Sequence, residues 1–156
     1  MRSIACLLAC VLAAVAASPV LGQSTVTLRF DEIYRRPVGG YGLELSDKVK
    51  ALDGKRVRIA GYMVAEELPL AGRFLLAPLP VALSDAEDGP ADDLPPAVVF
   101  VEFSGRDATA HVVHQRDRME LIGVLAVGNR VESDHRVSLL RLTLDPPAAT
   151  ITARQK

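Results

Sequence analysis

Asp107, His111 and His114 are the residues of this sequence best placed to do chemistry together. They stand at i, i+4 and i+7, so on a helix they form one stripe, and two imidazoles with a carboxylate make a reasonable Zn²⁺ ligand set. On a strand the odd offset between the two histidines puts them on opposite faces and dissolves the set. Arg116 and Arg118 follow closely and oppose a bound cation, while His135 belongs to a different turn. The competing reading is an exposed helix carrying an Asp-His ion pair. Asp107, His111 and His114 are therefore the metal candidates, and zinc is the one cofactor the residues leave open. The segment from Asp107 to Gln115 is read as a short helix in preference to a strand.

Other constellations fall short of known chemistry. Asp85, Glu87, Asp88, Asp92 and Asp93 share one loop, but their spacing lacks the alternating D-x-D-x-D-G arrangement of calcium loops, so a solvated loop is expected. Ser46, Ser84, Ser104, Ser133 and Ser138 are present without a G-x-S-x-G elbow. The glycine-rich stretches "GGYG" and "GPADD" lack the Lys and the helix start that phosphate-cradling loops use. No catalytic residue is assigned, and the chain is expected not to be an enzyme.

The elements that must position these residues are mostly strands. Val26, Leu28 and Phe30 alternate with polar residues as a short edge strand does, and Pro37, Gly39, Gly40 and Gly42 then open a loop. Leu43 to Leu52 predicts a short helix with Ser46 as its cap and Gly54 as its stop. "KRVRIAGYMV" predicts a strand with Val57, Ile59, Gly61 and Met63 on one face, where Gly61 marks a bulge, bend or close backbone approach. "RFLLAPL" returns from the Gly72 turn, an irregular loop runs from Pro80 to Pro96, and "AVVFVEF" is a near-continuous apolar strand ended by Gly105. "RMELIGVLAVG" is the fourth strand, "NRVESDHR" a polar turn, and "VSLLRLTLD" the fifth, stopped by Pro146 and Pro147. Five strands, with a helix between the third and fourth and a Gly inside two of the long ones, match a small five-stranded OB-like barrel with one or two short helices. An open sandwich is the alternative. Tyr41 and Tyr62 then offer either a stacking platform on a barrel face or rim packing.

The N-terminus sets the compartment. Arg2 precedes an apolar run from Ile4 to Ala17, followed by small residues, which is the pattern of a secretory signal peptide cut after Ala17 or Gly22. The run is short for a membrane span, so no stable span is expected. Leu7 to Cys10 also resembles a lipobox, although apolar sequence continues past Cys10. Removal of residues 1–22 removes Cys6 and Cys10, the only cysteines, and with them any intramolecular disulfide or thiolate ligand. About 134 residues remain, enough for one domain with a real apolar core. They divide into an arm at 23–42, the barrel at 43–146 and a tail at 147–156. Without Arg2 the chain carries 17 basic and 19 acidic residues, which argues against a nucleic-acid partner.

Residues 43 to 145 carry a resemblance. "LDGKRVRIAGYMV", then "RFLLAPL", "PPAVVFV", "MELIGVL" and a late "LTLD" resemble the DUF3299 family of exported bacterial proteins. Members typically carry a Cys and a His before a run of prolines ahead of the third strand. Here that place reads "SDAEDGPADDLPPAVVF", so Pro95 and Pro96 remain while the Cys and His are absent. The resemblance implies an exported OB-like domain without an established activity, some relatives accompanying ABC-type transport, including zinc uptake. The expected function is a non-enzymatic periplasmic accessory or binding module that docks on a transporter component or another envelope protein. The alternative is a periplasmic zinc-binding or zinc-delivery protein using the histidine stripe.

Overall fold

The computed structural model describes residues 24–83 and 94–144. The signal segment, the acidic run from Asp85 to Asp93 and the stop at Pro146 and Pro147 lie outside the described residues. In chain order the strands are β1 (Val26–Leu28), β2 (Arg56–Met63), β3 (Ala65–Glu66), β4 (Arg73–Ala77), β5 (Ala82–Leu83), β6 (Val99–Glu102), β7 (Met119–Val131) and β8 (Val137–Leu144). One short helix, α1 (Asp47–Ala51), lies between β1 and β2, and single 3-10 turns cover Phe30–Glu32 and Gly105–Asp107.

Ser46 starts α1 as its residue type dictates, accepting a hydrogen bond from the Val49 amide at 3.2 Å. The same hydroxyl donates to the Glu32 carbonyl at 2.6 Å, tying the helix to the N-terminal arm. Val49 and Leu52 turn inward into the core. In β2 the inward set is Val57, Ile59, Gly61 and Met63, all buried, as the alternation of the sequence requires.

The sheet order is β1-β2-β4-β6-β8-β7, and β7 pairs back onto β2. Strands β2, β4, β6, β8 and β7 therefore form a near-closed five-strand ring, with β6 and β8 parallel and the other joins antiparallel. This is the OB-like arrangement expected of a mostly β chain. The sixth strand, β1, adds to the outside of β2 in parallel. The narrowest join is β2 to β4, where only Tyr62↔Ala77 and Met63↔Leu76 pair. Gly61 sits beside it. A Cβ built there would lie 2.6 Å from the Ala77 carbonyl oxygen and 2.7 Å from Phe30 Cε2, so the glycine permits a close backbone approach.

The ring encloses a core built from Ile59, Phe74, Leu76, Val101, Leu125 and Leu142 among others, to which the arm contributes Leu28 and Ile33. A second cluster lies on the outer side of β4 and β6, where Leu75, Ala77 and Phe100 pack with Val64 and Leu83. Every residue of β4 is buried, which explains why "RFLLA" shows no polar alternation.

Several expectations require correction. Phe30 belongs to a 3-10 turn and not to the edge strand. The Pro80 to Pro96 stretch is not wholly irregular, because Ala82–Leu83 pairs in parallel with Ala65–Glu66. Strand β7 runs on through Asn129, Arg130 and Val131, which the polarity of "NRVESDHR" had assigned to a turn; a bulge between Val127 and Arg130 carries the ladder past the polar residues. Most consequentially, Asp107 to Gln115 is not a helix: after the 3-10 turn ending at Asp107 the chain is irregular.

Candidate functional site

An open cleft of about 870 Å³ that combines apolar walls with charge lies on the outer face of β6 and β8. Glu66, Leu68 and Leu70 come from the connection between β2 and β4, and Asp134, His135 and Arg136 from the turn between β7 and β8. Leu94, Pro95, Pro96 and Val98 approach β6, which supplies Phe100, and β8 supplies Val137 and Leu139. Leu68 is 74% exposed and Val137 57%, so the cleft presents apolar side chains to solvent instead of packing them away.

A charged network holds the two sides of this cleft together. Arg136 reaches across to Glu66 at 3.1 Å and lies 3.8 Å from Asp134. Arg73, buried at the start of β4, donates to Asp134, lies 3.7 Å from Glu132, and places its guanidinium 5.5 Å from the centroid of the Phe100 ring. Its Nη1 is buried without a hydrogen-bond acceptor. Arg130 bridges Glu102 and Glu132, the latter at 2.8 Å, and Ser138 donates to Glu132. Arg141 closes the network from β8 through the Gly128 carbonyl at 2.6 Å and Ser138 Oγ at 3.0 Å.

The protonation equilibria follow the surroundings. Burial pushes the Glu66 carboxyl up, against the opposing pull of Arg136 and Arg73. At Glu132 burial also pulls upward, but hydrogen bonds from Arg130 and Ser138 and the charges of Arg130 and Arg73 outweigh it, and its pKa falls below the ordinary value. Burial, with Arg130 nearby, lowers Arg141. The network thus carries paired charges whose partners come from distant parts of the chain, which fixes the turn at 132–136 relative to the connection at 64–72.

The metal candidates are placed elsewhere. Asp107 ends its 3-10 turn, His111 is exposed, and the His114 Nε2 lies 3.2 Å from the Met63 carbonyl oxygen. Without the helix, the i, i+4, i+7 stripe does not form. Among the described residues no group of three or more His, Cys, Asp or Glu side chains is arranged to hold a metal. His135 lines the cleft without Asp107, His111 or His114, in the left-handed conformation at φ 66°. Tyr41 is 97% exposed and Tyr62 half-buried beside the β2 to β4 join; neither lines the cleft.

Sequence reasoning missed the network because its members are scattered over β3, β4, β6, β7, β8 and one turn. Two signals were present. Arg73 opens the apolar run "RFLLA" and Arg141 interrupts "SLLRLTL", and a charge inside a near-continuous apolar strand must find a buried partner.

No family model matches the sequence, and no curated protein matches it. The fold is similar to that of a DUF3299 family protein from Pseudomonas aeruginosa PAO1 known from its crystal structure, with a TM-score of 0.47 and 16% identity, covering 78% of this chain and 93% of that one. This structural match is to the family that residues 43 to 145 resemble.

Proposed function

We propose that this chain is a non-enzymatic binding module of the bacterial periplasm, an accessory that docks on an envelope protein such as a component of an ABC-type transport system. The observation that carries the binding reading is the position of the cleft. It lies between the connection joining the first two ring strands and the turn joining the last two, over the third and fifth ring strands, β6 and β8. OB-type folds use these same two loops to hold ligands. That argument is one of fold-level placement, and the exposed Leu68, Leu70 and Val137 within the cleft add a local one.

The chemistry of the cleft favours a protein partner over a nucleic acid. Its charged groups, Glu66, Asp134 and Arg136, are occupied with one another, so the surface left for recognition is chiefly leucine, valine and proline. A polyanion would need a surplus of cations there. The export part of the reading rests on the signal-like pattern of the first 22 residues.

The test is affinity isolation from the periplasm of the native host with wild type, Leu70→Glu and Lys55→Glu. Leu70 is 38% exposed, so its substitution leaves the core intact. A defined envelope protein retained by wild type and Lys55→Glu but lost by Leu70→Glu supports the reading. Equal recovery by all three contradicts it.

A further inference from the structure

A second groove, of about 670 Å³, lies where the N-terminal arm meets the segment before β6. Its walls include Phe30, Val38, Leu43 and four prolines, Pro37, Pro78, Pro95 and Pro96. Size and lining fall within the range of small-molecule sites, which are mostly apolar with a few placed polar groups. We propose that this groove binds a single-chain anionic amphiphile, an unbranched apolar tail lying along the prolines and a carboxylate or phosphate head meeting Arg36. The groove adjoins the protein-docking cleft through Pro95 and Pro96, which line both, while Phe30, Arg36, Val38 and Leu43 belong to it alone, so substitutions at Arg36 and Val38 test it without touching the cleft.

The argument for a hydrocarbon tail comes from hydrogen-bonding capacity. Proline has no N–H to offer, and the Tyr34 hydroxyl is already spent, donating to the Pro96 carbonyl at 2.6 Å. An extended peptide laid here would bury backbone carbonyls against a wall short of donors, at a free-energy cost that a chain of methylenes does not incur. Burial also pushes the Tyr34 phenol upward.

Charge complementarity supplies the head. Arg35 and Arg36 both line the groove. Arg35 is engaged by Asp47 at 3.0 Å and Glu44 at 3.7 Å. The one carboxylate of the lining, Asp31, is held by Arg29 through bonds of 2.9 and 3.0 Å. The Arg36 guanidinium, whose charge also acts on Asp31, is the cation of the groove not held in an ion pair, and it stands beside Val38, which is 57% exposed, and Leu43, which is 50% exposed. A charged donor next to apolar walls selects an amphiphile over either a free anion or a neutral hydrocarbon.

The probes are decanoate and decyl phosphate, with decanol as the uncharged control, titrated calorimetrically into the purified protein below their micelle concentrations. Saturable one-to-one binding of decanoate, decyl phosphate or both is expected, the pattern between them telling a carboxylate ligand from a phosphate one. Arg36→Gln should weaken the anionic probes about tenfold and leave decanol unchanged. Val38→Asp, at an exposed position, should weaken all three probes with an unaltered melting temperature. Absence of saturable binding, or binding indifferent to both substitutions, overturns the proposal. So does a concentration-dependent dimer that Val38→Asp dissolves, because a second copy of the chain would then be the occupant.

Discussion

Glu132 shows how single residues here work as parts of a network. Its carboxylate gathers Arg130, Ser138 and the nearby Arg73 while almost fully buried, and its pKa is depressed from an ordinary 4.5. A depressed carboxylate contributes stability that is present above its unfolded pKa and is lost as pH falls through the folded one. Glu132→Gln should therefore cost about 3 kcal/mol at neutral pH, because it leaves the buried Arg73 underpaired and removes the carboxylate that Arg130 and Ser138 hold. The gap from wild type should narrow as the pH drops below about 4.5. Urea unfolding at a series of pH values measures this, and a gap independent of pH would show that the ionised form has no special role. Gly61 acts through the space it leaves empty. Gly61→Val drives a side chain against the Ala77 carbonyl and Phe30, so the melting temperature should fall clearly, by the equivalent of about 2 kcal/mol. Lys55→Ala, at an exposed turn, should change stability by less than about 0.5 kcal/mol.

At the scale of elements, β4 is the strand on which both cores depend. Leu76 faces the ring interior and Leu75 the outer cluster with Phe100 and Val64. Leu75→Ala and Leu76→Ala should each cost about 3 kcal/mol in chemical denaturation, whereas a strand with one solvated face would spare Leu75. The elements most legible in the sequence were those with a strong local signal: the Ser46 cap, the alternation of β2, and the glycine at its close approach. Where local pattern was weak, tertiary context decided. His111 and His114 have a helical spacing, but the chain between Asp107 and Gln115 is held in an irregular path by long-range bonds, with Gly72 donating to the Ala110 carbonyl at 2.8 Å and His114 lying against Met63. The polar "NRV" continued a strand because its ladder partners Ser138 and Val137 were already in place on β8. The cleft was least legible of all, since its residues come from three separated stretches that only ring closure brings together.

For the molecule as a whole, the proposed function combines export of the chain with a binding face on its OB-like ring. Export predicts that material recovered from a host with secretion machinery begins between residues 18 and 23 and fractionates with soluble periplasmic proteins. An intact N-terminus or an acylated Cys10 would contradict that part. The central claim is that the cleft between the 64–72 connection and the 132–136 turn is where a protein partner sits. Photo-crosslinking in living cells of the native host tests it most directly, with a photoreactive amino acid placed at Leu68, Val137 or Lys55 in turn. The account predicts one discrete adduct with the same envelope protein from Leu68 and from Val137, which line opposite sides of the cleft, and none from Lys55. Adducts of equal yield from all three positions, or from Lys55 alone, would contradict it.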